Sequence, residues 1–375
     1  MAAYVSLKHV AARAGVSVQT ASKVLNGREL RVAAETAERI RAAARELGYY
    51  PNQIARSLLG QSTMTIGLIA GSLRDPALAE FVVGAEREAR RQGHSVLVSD
   101  LADDSDEGAE VVRTLIERRV DGIVAAAPQL EENLEVSDLL LRYVPVVSLH
   151  HVPGGVVPLV GSNHREVGQL AAGHLVECGR RVIGTVAGPF RRRVVRSRLR
   201  GAEQRLHEAG LEPSEDLVVE ADWSPGGAAA ATHLLLQREP RLDAIFVHSD
   251  LMAVGVLDAL AERGRKVPDD VAVVSCDDLP LAAHLRPSLT TVHLPFSETG
   301  AQAVSLLLRL TSGEKLGPGP WLLPVELVIR QSSGGAPAGE RVADGAGSGK
   351  GVDSGAGPAP EGVLTEGSSS ERRRG

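Results

Sequence analysis

The chain has 375 residues, 43% of them apolar, 23% charged and 3% aromatic, with two cysteines and a net charge of -6. At about 150 residues per domain this length points to two or three domains, and the balance is that of a globular protein. No run approaches the roughly 18 apolar residues of a membrane span, and Met1-Ala-Ala-Tyr-Val-Ser-Leu-Lys8 has no basic-then-apolar leader, so a cytoplasmic protein is expected. Cys178 and Cys276 stand far apart and outside any Cys-x-x-Cys spacing, which points away from a disulfide framework or a metal site. The charge is unevenly spread. Residues 1–60 hold nine cations against four acids (+5), residues 331–375 carry -1, and the stretch between them carries -10. A basic head on an acidic body fits a protein that grips a polyanion at one end.

In chain order, the first element is a helix on which Leu7, Val10, Ala11 and Ala14 share one face. Gly15 can close it in the left-handed conformation, and Ser17 can cap a second helix that turns Ala21, Val24 and Leu25 back toward the first. Val18, Gln19, Ser22 and Lys23 then stand outward at its start, where a recognition helix presents base-reading groups to the major groove. Gln can bond adenine bidentately, and Lys can reach guanine acceptors. A plain helical hairpin has the same apolar spacing. A third helix is expected over about Ala34 to Leu47.

The next 270 residues alternate short apolar runs with amphipathic segments. Strands are expected at Thr65–Ala70, Ser95–Ser99, Gly122–Ala125, Val144–Ser148, Arg181–Val186, Leu217–Glu220, Ala244–Val247 and Val271–Ser275. These runs are apolar throughout, as in parallel strands covered on both faces, and two smaller sheets with a cleft between them suit this length. Residues just after each strand are then the candidates for ligand contact. From Gln331 the chain turns Gly-, Ser-, Ala- and Pro-rich and is expected to be a disordered tail, 331–375. Its Gly345-Ala-Gly-Ser-Gly-Lys350-Gly lacks the first glycine, the Ser or Thr and the preceding strand of a phosphate loop.

Val10-Ala-x-x-Ala14-Gly-Val-Ser17-x-x-Thr20-x-Ser22-x-Val24-Leu-Asn26, followed by Leu47-Gly-Tyr49-x-Pro51-Asn52-x-x-Ala55-x-x-Leu58, closely resembles the lactose-repressor (LacI/GalR) family of bacterial regulators, and the likeness runs on to about Arg330. The resemblance implies a small all-α helix-turn-helix head over 1–60, with a hinge helix at 52–59 that enters the minor groove of an operator when two protomers meet on it. It implies an α/β periplasmic-binding-protein-like body over 61–330, made of two doubly wound subdomains with a small-molecule effector between them and the chain crossing near Ser162 and Thr290. The DNA contacts it implies are Ser6, Val18, Gln19, Thr20, Ser22, Lys23, Asn26, Tyr49, Asn52, Ala55 and Leu58, a leucine wedge at 58 partly unstacking a base step. Ala21 and Lys23 replace the commoner valine and arginine, and Ala33 replaces the usual serine cap of the third helix.

In the body the resemblance implies effector contacts at Arg198 and Asp277, with Trp223 stacking on the ligand, Ser249 where Asn is common, and Ser72 after the first strand. His150 stands where the family commonly has Asp. Asp250 is read as the cap of the helix beginning at Leu251. Carboxylates and amide-like groups suit sugar hydroxyls and an indole suits a pyranose face, so a sugar is expected. Six arginines within Phe190–Arg200 raise an anionic sugar derivative as a variant of that reading. The whole reads as a homodimeric regulator, a repressor in sense, with no cofactor and no metal. The alternative is a solute-binding or sensor protein with the same cleft and no DNA reading. An enzyme is disfavoured, because no dinucleotide loop, metal-spaced histidine cluster or nucleophile elbow is present.

Overall fold

The computed structural model describes residues 5–25, 32–50, 62–101 and 108–334. Three helices come first: α1 (Leu7–Ala14), α2 (Val18–Leu25) and α3 (Ala34–Leu47). Their small core is Val10, Ala11, Ala14, Ala21, Val24, Ala37, Ile40, Ala43 and Ala44. Gly15 ends α1 at φ 65°, and Ser17 Oγ accepts from Thr20 N at 3.1 Å, so both punctuation marks act as the sequence indicates. Arg39 on α3 donates to Ala14 O, which otherwise has no helical partner.

The body contains two sheets. The first has the order β2-β1-β3-β4, from β1 (Thr65–Ala70), β2 (Ser95–Asp100), β3 (Ile123–Ala126) and β4 (Val146–Ser148), all parallel. One face carries α4 (Pro76–Arg91) and a late helix, α11 (Phe296–Thr311); the other carries α5 (Gly108–Glu117) and α6 (Leu134–Tyr143). The second sheet has six strands in the order β12-β10-β9-β8-β6-β7. These are β6 (Ile183–Ala187), β7 (Val218–Glu220), β8 (Ala244–Val247), β9 (Ala272–Asp277), β10 (Thr290–His293) and β12 (Glu326–Val328), with only β12 antiparallel. It is covered by α7 (His164–Glu177) and α8 (Arg193–Glu208) on one side and by α9 (Pro225–Arg238) and α10 (Asp250–Glu262) on the other. The central strands are buried along their whole length, whereas the edge strand β2 alternates exposed and half-buried residues.

The chain passes between the subdomains three times, not twice. It leaves the first after β5 (Val160–Ser162), returns after β10 into α11, and crosses again between β11 (Trp321–Leu323), which pairs with β5, and β12. β5, β10, β11 and β12 were not among the expected strands. Each has only three or four residues, too few for an apolar run to register.

The expected body also ended too early. Ser332 and Ser333 are buried, with Ser332 Oγ donating to Val273 O at 2.6 Å and accepting from Thr290 N at 2.8 Å. The chain is therefore fixed to the sheet beyond residue 330, because two serine hydroxyls complete the bonding of β9 and β10.

Candidate functional site

In the head, Val18, Gln19 and Lys23 are exposed along one side of α2 while Ala21 and Val24 are buried on the other. This is the division a reading helix requires: one face built into the core, the other left for base edges. Ser22 is half-buried, and the Thr20 hydroxyl is 2.8 Å from Ser17 Oγ, so it shares in the cap. Ser6 opens α1, its N–H donating to His9 Nδ1 at 3.2 Å. Tyr49 follows the Gly48 turn and packs on the head core. Asn26 and the 52–59 segment, with Asn52, Ala55 and Leu58, lie outside the described residues.

In the body, β9 ends at Asp277 and His248 follows the end of β8, and α8 brings Arg198 to both. Arg198 is buried; its Nη1 donates to His248 O, its Nε to His164 Nδ1 at 3.3 Å, and its Nη2 lies 4.0 Å from Asp277 Oδ1. Close helix packing makes this approach possible. A Cβ at Gly168 on α7 would stand 1.9 Å from Arg198 O, and one at Gly201 on α8 would stand 1.9 Å from Arg165 O. Burial pushes the Asp277 carboxyl well above the usual carboxylate range, against the pull of Arg198, and the nearby Asp250 and Asp75 push it further. Asp75, from the first wall, lies in the field of Arg198 while its own side chain accepts from Ala77 N to cap α4. The two predicted effector residues thus meet, with a carboxylate from the opposite subdomain facing them.

Three histidines surround this point. Burial and the neighbouring Arg198 hold His164 and His248 well below the usual imidazole value, and burial with Arg192 brings His150 down to about 4. All three are neutral near pH 7. Neither ring nitrogen of His248 has a hydrogen-bond partner. His164 and His248 were missed in the sequence, since nothing local marks a histidine whose neighbours are 34 and 50 residues away in the chain.

Trp223 takes φ 68°, a left-handed backbone unusual for a bulky residue, and its indole lies over Gly188, where a Cβ would stand 2.3 Å from the ring. Ser72 is half-buried and accepts from Arg74 N. The cap read for Asp250 belongs instead to Ser249. Ser249 is the N-cap of α10, accepting from Met252 N at 3.1 Å. Asp250 is fully buried and ties the sheet ends together, accepting from Ser275, Thr291 and Leu279 N. The shorter serine reaches the free amides of the helix end, while the carboxylate finds three donors inside. Of the six arginines in Phe190–Arg200 only Arg192 and Arg198 are buried, so the cluster does not converge on the cleft. A separate cavity of about 610 Å³ lies at the edge strand β7, among Arg191, Val219, Asp222 and Leu234, and none of the predicted effector residues lines it. Among the described residues no His, Cys, Asp and Glu are grouped to hold a metal, and no helix is long and apolar enough to cross a membrane.

A helix-turn-helix head joined to a two-lobed periplasmic-binding-type body defines a ligand-responsive regulator of transcription. Comparison with known proteins agrees with that class. Residues 6–52 match the bacterial regulatory proteins of the lacI family, and residues 172–333 match the periplasmic binding protein-like domain. The HTH-type transcriptional repressor PurR of Edwardsiella ictaluri (strain 93-146) is 35% identical over 310 residues, 82% of this chain and 91% of the relative. PurR of Haemophilus influenzae (strain PittEE) is 31% identical over 332 residues, covering 87% and 98%. Among solved structures, the lac repressor dimer bound to operator and the anti-inducer ONPF superposes with a TM-score of 0.79 at 31% identity, covering 88% of this chain and 99% of that one. A complex of the transcriptional regulator CelR with cellobiose gives 0.67 at 32% identity, with the same coverage. The chain belongs to the lacI family of bacterial regulatory proteins, and it is a DNA-binding transcriptional regulator rather than a free-standing solute-binding protein.

Proposed function

We propose that this regulator is a cytoplasmic repressor that binds a near-palindromic operator as a homodimer and changes its operator affinity when a small molecule occupies the cleft beside Arg198 and Asp277. The observation that carries the reading is α2, capped at Ser17, with Val18, Gln19 and Lys23 exposed and its opposite face in the core. Gln19 and Lys23 read bases; Ser6, Thr20, Ser22, Asn26 and Tyr49 settle the head on the duplex; Asn52, Ala55 and Leu58 add further contacts to it. The two PurR relatives and the lac repressor are repressors, and the last is a dimer on its operator, which supports the sign and the symmetry.

For the effector, a neutral, hydroxyl-rich molecule such as a sugar suits the cleft better than an anion. Burial raises the Asp277 and Asp75 carboxyls, the three imidazoles are neutral, and two of the five N–H donors of Arg198 are already engaged by His248 O and His164 Nδ1. Trp223, Ser72, His150 and Ser249 shape the rest of the pocket. A ligand that prefers one lobe arrangement shifts the population toward it and so alters the heads.

Selection from a random DNA library at about physiological salt, where non-specific binding is weakened, tests the central claim. Full-length protein should enrich one near-palindrome, and the variant Gln19→Ala/Lys23→Ala should lose that enrichment. No enriched site, or an unchanged site in the variant, would overturn the assignment of α2.

A further inference from the structure

The protein's own groups join the two walls of the cleft. Arg192, just before α8 in the second subdomain, is buried, and its Nη1 donates at 2.8 Å to Pro128 O in the first. Pro128 opens a short 3-10 turn, Pro128–Glu132, directly after β3. From the same turn comes the Glu131 side chain, 6% exposed, which feels the charges of Arg192 and Arg193 on the second lobe. Its carboxyl is raised by burial and drawn down again by the amide and the charge of Arg193 and by the amide of His151, with Arg192 adding to the pull. The helix end it faces has no side-chain cap of its own, since its capping position is Arg192. The second wall thus gives a guanidinium to a carbonyl of the first, and the first sets a buried carboxyl, raised overall by its burial, in the field of Arg192 and Arg193 at the uncapped helix start of the second. A helix N-terminus carries unpaired amides and partial positive charge, so a carboxylate from outside the helix does there what an N-cap does within it. His150, 3.8 Å from Glu131, flanks the pair. Separating the lobes would exchange the Arg192–Pro128 bond for bonds to water, so the contact counts as one charge-assisted hydrogen bond between the lobes.

We infer that Arg192 and Glu131 form a clasp between the subdomains, which holds the body near its closed arrangement and fixes how much of the closure an effector has left to supply. The clasp is a property of the body; its effect on DNA binding rests on the proposed coupling of cleft to head.

Distance measurement between spin labels on the two lobes of the full-length protein tests the clasp. Labels at Arg118→Cys and Gln237→Cys, both exposed sites, in a Cys178→Ser background and diluted with excess unlabelled chain, report one protomer's lobe separation. The buried Cys276 stays unlabelled. Wild type should give one dominant separation. Arg192→Ala and Glu131→Gln should each broaden it and move it to longer distance, and Arg191→Ala, at the exposed neighbour, should leave it unchanged. Unchanged distributions in both clasp variants would overturn the inference. Where Arg192→Ala fails to fold by circular dichroism, Arg192→Lys and Glu131→Gln decide the matter by the same criterion. Operator affinity of the same variants, with nothing added, separates the two layers of the argument. A change within the 5- to 150-fold span of allosteric couplings supports both. Longer distances with unaltered operator affinity keep the clasp and sink the coupling.

Discussion

Asp277 and Asp278 both stand in left-handed backbone, at φ 121° and 60°, a conformation that neither side chain favours. Asp278 is what holds the turn. Its carboxylate accepts from Arg330 at 2.6 Å and faces His293 Nδ1 at 3.2 Å, a partner at the end of β10 where the chain leaves for α11. Burial raises the Asp278 carboxyl, but the bonds to His293 and Arg330 outweigh it and leave it lowered; His293 is raised, first by its bond to Asp278. The signs then set a window. The His293 contribution is fully present below the ordinary histidine value and fades as pH rises through the raised one; the Asp278 contribution is present above the ordinary carboxylate value and fades as pH falls through the lowered one. Thermal melts of wild type and His293→Gln should differ most in mildly acidic buffer and converge above neutrality. The difference should stay at or below about 1 kcal/mol, because His293 is substantially exposed. Equal gaps at all pH values would show that the pair is not the cause. At this scale Arg198 and Asp277 were named by the resemblance to the lactose-repressor family, not by a local pattern, and the fold brings them to 4.0 Å of each other. Asp75, His164 and His248 were not, because their roles depend on neighbours that only the fold supplies.

The elements of the head follow local rules with one exception, and the exception is measurable. The position before α3 is Ala33, with no side-chain cap bond, whereas α2 has Ser17 and α10 has Ser249. Ala33→Ser should stabilise the head by about 0.5–2 kcal/mol, read by denaturant titration of the full-length protein, without altering the operator sequence selected. No gain would mean that the start of α3 is already satisfied by other groups. The eight expected strands are present because each lies in a recognisable apolar run of the sequence, even where, as at β4 and β7, only three residues pair. The four that were not expected link the lobes, and there strands such as Val160-Gly-Ser162 carry no pattern of their own; pairing with Trp321-Leu-Leu323 makes them strands. Pairing across 160 residues is a tertiary effect, so periodicity cannot announce it.

On the scale of the whole molecule, the C-terminal end of the body is fixed by its bonds to β9 and β10 rather than by composition. The serines at 332 and 333 look like the start of a Gly- and Ser-rich tail, yet Ser332 bridges Val273 and Thr290, and Ser333 Oγ lies 2.7 Å from Thr290 Oγ1 and 2.8 Å from His174 Nε2. A protein ending at Arg330 should therefore melt several degrees below one ending at Gly334, since buried acceptors and donors lose their partners at about 1–3 kcal/mol each. Equal melting temperatures would show that the two serines close no essential bond. The split of charge is also a whole-molecule property: a +5 head on a -10 intervening region means that DNA attraction belongs to the head alone.

The threefold crossing of the chain has a bearing on how the protein is made. The first lobe is not finished when β4 and β5 emerge from the ribosome, because α11, residues Phe296–Thr311, is needed to cover one face of its sheet. The second lobe waits still longer, for β12 and Ser332. Synthesis runs from the head onward, so a nascent chain carries its DNA-reading helices long before either lobe can close. Competence to respond to a ligand arrives only with roughly the last tenth of the body, and it arrives for both lobes almost together.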